Sequence, residues 1–241
     1  MNSPIQPLRV KSLKDACVAR LEELILSGDL PVGERLPAER DLAARLGVSR
    51  PVLHEALVDL SGKGLVTIHP RRGVSVNDYR QSGSFAMLTS LLNYANGALD
   101  PQMQRSLLAV RILLERETAR LAAENAAQDQ IADLRGILVE EKAANKTDAA
   151  RLTELDYAFH LKVALCSGNS IYPLILNSFK NIYTHFTAAY FAKKAGSAEV
   201  DEVIAFHEKL TGLIEARKPD QAAALMEEML VRGERQLFES M

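Results

Sequence analysis

Beyond residue 82 the sequence offers no strand pattern, and this removes most of the fold classes open to a chain of 241 residues. Apolar residues recur there at helical spacing, and Ala, Leu, Glu, Lys and Arg, all strong helix formers, fill the positions between. Helices are expected near 83–97, 102–126, 128–145, 149–166, 171–195, 199–216 and 220–239. The breaks fall at Gly97–Pro101, Gln128–Asp129, Lys146–Asp148, Ser167–Asn169, Gly196–Ser197 and Lys218–Pro219. Connections this short favour antiparallel neighbours, so residues 81–241 are expected to form an all-α antiparallel helical bundle. With 47% hydrophobic residues the chain can bury a core.

Residues 1–80 follow a different pattern. Leu13, Cys17, Leu21, Leu24 and Ile25 recur at helical spacing, and Gly28 stops that helix. Asp29 to Pro37 is a turn-rich connector with two prolines and a glycine. A second helix, Ala38 to Leu46, places Leu42 and Leu46 on one face and ends at Gly47. Ser49 offers an N-cap hydroxyl to a third helix that tolerates Pro51 in its first turn and runs to about Ser61. Leu53, Leu57 and Leu60 form its inward stripe, which turns Arg50, His54 and, more obliquely, Val52 outward. Two short strands follow, Leu65–Ile68 and Val74–Val76, joined by the basic tip His69–Gly73. Helix, helix, turn, helix and β-ribbon in that order make a winged helix-turn-helix. The expected fold is therefore mainly α, a winged domain over 1–80 and a helical domain over 81–241.

Charge and cysteine usage narrow the functions. The net charge is −2, with 12 Lys and Arg against 10 Asp and Glu in residues 1–80, leaving 17 against 21 in the rest. Whole-molecule steering of nucleic acid would be feeble at that balance, so a DNA contact needs arginines clustered locally. Cys17 and Cys166 lie far apart, which excludes a disulfide framework and a cysteine zinc finger and suits a reducing cytoplasm. Residues 1–12 lack the apolar run of a signal peptide, and no apolar stretch approaches a membrane span, so a soluble protein with no membrane partner is expected. No G-x-S-x-G, P-loop or H-E-x-x-H is present, and no enzymatic activity is expected.

A helix-turn-helix lays its second helix in the major groove, where side chains near the N-terminus touch base edges while basic and backbone groups hold phosphates. Arg50 is the best-placed reader, since an arginine there can donate two hydrogen bonds to guanine. Ser49 and Arg40 reach phosphates or base edges from the paired helix ends, His54 extends the readout or touches phosphate, and Arg71 and Arg72 sit where a wing tip enters the minor groove. Arg35 and Arg45 are left to surface or salt-bridge roles.

The run from Gly33 to Leu57, GERLPAERDLAARLGVSRPVLHEAL, resembles the DNA-binding domain of the GntR family of regulators, and the likeness continues through Arg71-Arg72-Gly73 over most of residues 9–77. It implies that Arg40, Ser49, Arg50, Arg71 and Arg72 contact DNA. His54 departs from the pattern, because the family usually carries arginine there.

The helical half resembles the effector domain of the FadR subfamily, through Arg111-Ile-Leu-Leu-Glu115 and its alanine-rich continuation, Glu154-Leu-Asp-Tyr157, the segment Ser167 to Asn177, Ile182-Tyr-Thr184 and Tyr190-Phe191. The likeness is greatest to the fatty-acid-responsive members, which implies an acyl-CoA or fatty-acid effector. Arg111, Asp156, Tyr157, Tyr183 and Tyr190 are the candidate effector contacts. Arg111 pairs with an acidic effector or, more cheaply, with Glu115 as an exposed i,i+4 pair. Gly233 and Leu237 stand where acyl-CoA sensing would place serine and tryptophan.

Asp156 and His160 lie four apart on one helix face, and His207 can join them from a neighbouring helix to hold a divalent metal such as Zn, Ni or Mn. Metal-binding members complete an Asp-His-His-His set, and the fourth place here is Met229, a poor ligand for such ions. Buried hydrogen bonding is the alternative role for the three. Leu161, Leu165, Ile171, Leu174, Ile175, Phe179, Ile182, Tyr183, Phe186, Tyr190 and Phe191 are expected to be mostly core, some lining a chain-shaped cavity. The resemblance thus implies a homodimeric regulator that binds a palindromic operator under control of an acyl-CoA, a fatty acid or a smaller carboxylic acid.

Overall fold

The computed structural model describes residues 12–95 and 101–238. The chain divides into two compact units, Met1–Ala98 and Leu99–Met241.

In the first unit, α1 (Leu13–Leu26) starts where the Ser12 hydroxyl accepts a hydrogen bond from the Asp15 amide at 3.0 Å. After the connector come α2 (Glu39–Leu46), closed by Gly47 in the left-handed conformation, and α3 (Arg50–Gly62), capped by Ser49. Strands β1 (Val66–His69) and β2 (Gly73–Val76) pair antiparallel in the register Val66↔Val76 to His69↔Gly73. The connector adds a bridge at Arg35↔Ser75, flanked by Leu36 N–H donating to the Val74 carbonyl, so the ribbon is anchored to the segment that precedes α2. Leu21, Leu53, Leu57, Leu60 and Leu65 are wholly buried and form the centre of this core.

The expected helix over 83–97 is instead a short α4 (Tyr79–Ser82) and α5 (Ala86–Tyr94), with residues 96–97 outside those described. Met87 of α5 enters the winged-unit core, and the Ser90 hydroxyl donates to Glu22 Oε1 at 2.7 Å while Lys63 bridges both. The first unit therefore extends past residue 80 to include α5. At Gly64 the backbone has φ +81°, and a Cβ would sit 1.9 Å from the Ser82 carbonyl oxygen, so only glycine fits where α3 turns into β1.

The second unit is a helical bundle: α6 (Pro101–Asn125), α7 (Gln128–Ala143), α8 (Ala149–Cys166), α9 (Tyr172–Ser178), α10 (Lys180–Lys193), α11 (Ala198–Glu215) and α12 (Pro219–Phe238). The helix expected over 171–195 is broken at Phe179, which caps α9 and opens α10. Ala119, Ala122 and Ala123 of α6, with Ala126 just beyond it, are buried in one core with Ala222, Leu225 and Met226 of α12, Phe159 and Val163 of α8 and Ile214 of α11. Helix α8 packs against α6, α7, α9 and α10, so its Thr153, Asp156 and His160 face neighbours rather than water. Leu165, Ile171 and Leu174, expected in the core, are exposed because α8 ends at Cys166 and α9 covers its neighbours with Pro173 and Leu176 only.

Candidate functional site

On the first unit, burial of Leu53, Ala56, Leu57 and Leu60 fixes the rotation of α3 and leaves Arg50, His54 and Val58 exposed at successive turns. Ser49 Oγ accepts from the Val52 amide at 3.5 Å, which holds the helix end and keeps the hydroxyl proton available to a further acceptor. His54 Nδ1 lies 3.2 Å from Glu39 Oε1, so the start of α2 sits beside the first turns of α3 and Arg40 follows at the same end. Arg40 pairs with its neighbour Asp41 and remains largely exposed. At the wing tip Arg71 has φ +61° and the Arg72 amide donates to the His69 carbonyl, leaving both guanidinium groups in solvent. Arg40, Ser49, Arg50 and His54 thus form one surface at adjoining helix ends, with Arg71 and Arg72 on a separate projection of the same unit.

The second unit holds a buried polar cluster. Asp156 and His160 lie one turn apart on α8, and His207 of α11 brings its Nε2 to 3.7 Å from Asp156 Oδ1. His207 Nδ1 faces both oxygens of Glu141 on α7, at 2.9 and 3.1 Å, and its ring stacks on Phe159 with centroids 4.0 Å apart. Burial alone would pull the His207 pKa down, but Glu141, followed by Asp156 and Glu115, raises it above the ordinary value. Asp156 Oδ2 accepts from the Tyr183 hydroxyl at 2.6 Å. His160 Nδ1 contacts Glu115 Oε2, and Arg111 Nε donates to Glu115 Oε1 at 2.5 Å while its guanidinium lies over the Tyr183 ring, 4.0 Å from the centroid. Burial pushes the Glu115 carboxyl up, yet Arg111 and His160 outweigh it and hold it at about 2. Burial, reinforced by Asp156 and Glu115, drives the Tyr183 phenol far above its usual range.

Part of this cluster, Arg111, Glu115, Asp156, His160 and Tyr183, lines a cavity of about 150 Å³, while His207 and Glu141 stand behind that lining. The walls are otherwise mostly apolar, from Leu107 and Leu114 of α6, Ile182 and Phe186 of α10, and Met229 and Leu230 of α12. Arg111, Asp156, His160, Tyr183 and Tyr190 all line it, and Gly233 closes one side. Tyr157 does not: its hydroxyl donates to Asn177 Oδ1 at 2.7 Å and its ring packs edge-on against Tyr183. The Arg111–Glu115 pair is buried on the carboxylate side, not exposed as its spacing alone suggested, because His160 of α8 and Tyr183 of α10 lie against it. Leu237, the second departure noted in the sequence, has its side chain outside the described residues.

The donor set fits a divalent cation. One ligand atom each from Asp156, His160 and His207 lies within 4.8 Å of the others, and His207 Nε2 is buried without a hydrogen-bond partner. Each would-be ligand is braced from behind: His207 by Glu141, His160 by Glu115, and Asp156 by Tyr183. Glu115 and Glu141 had no assigned part in the site from sequence, although each carried a signal. Glu141 continues the apolar stripe Ile131, Leu134, Leu138, and Glu115 continues Ala119 and Ala122, and a charge in such a stripe needs a buried partner.

Residues 13–76 match the family model for bacterial regulatory proteins of the gntR family, and residues 106–232 match the FCD domain. The chain is 31% identical over 195 residues to the fatty acid metabolism regulator protein of Proteus mirabilis, covering 81% of this chain and 78% of that one. It is 32% identical over 199 residues to the HTH-type transcriptional regulator Mce2R of Mycobacterium tuberculosis, covering 81% and 80%. Among solved structures, Lar, described as controlling expression of the Listeria monocytogenes agr system, superposes with a TM-score of 0.64 at 20% identity, over 97% of this chain and all of that one. Escherichia coli McbR/YncC gives 0.54 at 19% identity, over 96% and 99%. At such identities these two share the fold.

Proposed function

Because the chain belongs to the GntR family of bacterial transcription regulators and carries an FCD domain, we propose that it is a homodimer whose winged units bind a palindromic operator under control of a carboxylate effector held in the helical unit. Arg50 and His54 read base edges from α3, Ser49 and Arg40 hold phosphates at the helix ends, and Arg71 and Arg72 enter the minor groove from the wing. Ligand binding shifts operator affinity by a coupling free energy of about 1–3 kcal/mol.

One observation carries the effector class: a guanidinium, Arg111, lines an otherwise largely apolar cavity together with Asp156, His160 and Tyr183. That arrangement suits an acid with an apolar body, and the fatty acid metabolism regulators among the relatives support a fatty acid or its acyl-CoA. A second reading, a small carboxylic acid, is favoured by size, since a cavity of about 150 Å³ matches one known to hold a single benzene ring. Asp156, His160 and His207 would hold a divalent cation, which as a Lewis acid would take one oxygen of the effector carboxylate. Arg111 supplies the other charge partner, Tyr183 orients Asp156, and the apolar walls exclude water.

Gel-shift titration on duplexes from upstream of the protein's own gene tests the DNA half: Arg50→Ala is expected to weaken binding and blur base preference, and unchanged binding would refute the assignment. Release of that duplex by an acyl-CoA, a free fatty acid or a short hydroxy or dicarboxylic acid, each with and without chelator, separates the effector readings. Insensitivity to acyl-CoA and fatty acid alike removes the first.

A further inference from the structure

The α3 surface carries a feature that neither a generic helix-turn-helix nor the family pattern requires. His54 stands one turn after Arg50 on the exposed face, and its Nδ1 is held by the Glu39 carboxylate of α2 at 3.2 Å. Glu39 is the first residue of α2, where the unsatisfied amides of the helix end favour its negative charge. A carboxylate oxygen can only accept, so the proton of the neutral imidazole resides on Nδ1. Nε2, across the ring, is then a bare acceptor. The Glu39 side chain is 29% exposed and that of His54 55%, so the carboxylate is the sheltered partner and the ring the presented one.

We propose that Glu39 and His54 form a base-selecting unit, with His54 the reader and Glu39 a positioning residue that fixes its tautomer, and that it selects a base offering an exocyclic amino group in the major groove, adenine N6 or cytosine N4. The proposal rests on α3 being the recognition helix. Arginine, the residue the family pattern places here, has only donors and pairs with guanine O6 and N7, so the substitution inverts the polarity of the contact. Glu39 makes that inversion stable. Without it the ring takes either tautomer, and a donor at Nε2 accepts guanine as readily as an acceptor accepts adenine.

The test is selection from a randomised duplex library by the purified full-length protein at about pH 8, above the ordinary range of imidazole titration. The wild type is expected to enrich adenine or cytosine over guanine about fivefold at one position of each half-site, the yield of one hydrogen bond. Glu39→Gln should flatten that position to less than about twofold while leaving every other position intact, since the amide matches either tautomer. His54→Arg should convert the same position to guanine, a change no merely structural role for the pair produces. Both substitutions are at the surface, and unchanged thermal melting will verify folding. Guanine enrichment by the wild type, an unaltered profile in Glu39→Gln, or no switch in His54→Arg overturns the proposal. If Arg50→Ala also leaves the whole selected motif unchanged, the recognition-helix assignment falls and the pair falls with it; if only the Arg50 position changes, the pair alone is refuted.

Discussion

Replacing Glu115 with alanine removes the counter-ion from a guanidinium and an imidazole that have no other carboxylate at bonding distance among the described residues, apart from the more remote Asp156. Arg111 is three-quarters buried by side-chain area and lies over Tyr183, and His160 is almost fully enclosed. Breaking a buried pair at one end costs about 3–5 kcal/mol, because the remaining charge stays in a low-dielectric surrounding. Amide hydrogen exchange of peptides from α6 and α8 is therefore expected to quicken by about a hundred- to several-thousandfold in Glu115→Ala. The paired replacement Arg111→Met with Glu115→Met should recover part of the loss, since the guanidinium and carboxylate desolvation penalties vanish together while His160 is still left without its partner. The acid side follows from the same contacts. The carboxyl is held at about 2 in the fold against an ordinary 4.5, so its stabilisation is complete above pH 4.5 and disappears as pH falls toward 2. The difference between wild type and Glu115→Gln, read by circular dichroism, should shrink over that window. Exchange in Glu115→Ala within threefold of wild type would refute the claim that this pair holds the cluster together.

Gly64→Ala should unfold or strongly destabilise the winged unit, whereas Gly33→Ala, with φ +84° but nothing near its Cβ, should cost only about 1–2 kcal/mol; urea titration of duplex binding compares them. Arg72→Ala should lower affinity for all duplexes and reduce the slope of log K against log salt by about 1, checked by fluorescence anisotropy across salt concentrations. His207→Ala should abolish retention of zinc or manganese after dialysis, and Glu141→Gln should weaken it by about 10- to 100-fold, measured by elemental mass spectrometry. Equal metal content in all three proteins would remove the cation from the effector site.

Sequence pattern located elements best where polar stops bracket a periodic run. Helix α8 spans Ala149–Cys166 as expected because Asp148 caps one end, through its carboxylate on the Arg151 amide, and Ser167 and Gly168 close the other. Phe179 gave no such stop. It fits the apolar period of 171–195, and the break there comes from tertiary packing of α9 against α8. The place of α5 in the first unit is hidden for a related reason: Met87 has the spacing of any amphipathic helix, and its packing with the Glu22, Lys63 and Ser90 contacts shows which core it joins. In the site, Asp156 and His160 were legible because their spacing alone puts them on one face. Tyr157, three residues before His160, was drawn in by the resemblance and turns instead to Asn177. His207, Glu115 and Glu141 come together only through the crossing of α6, α7 and α11 around α8, which periodicity within one helix does not encode.

The packing of α6 against α12 has a consequence for what can enter the cavity. Near the end of α6, Ala119, Ala122, Ala123 and Ala126 are buried in the same core as Ala222 near the start of α12, while the cavity opens between the opposite ends, bounded by Leu107, Arg111, Met229 and Gly233. Buried alanines have no rotamer to change, whereas thioether and leucine side chains do. A guest thicker than the empty space would therefore be met by a wedge with its narrow end fixed and its wide end yielding, so that its bulk would be registered as a graded spreading of two helix ends.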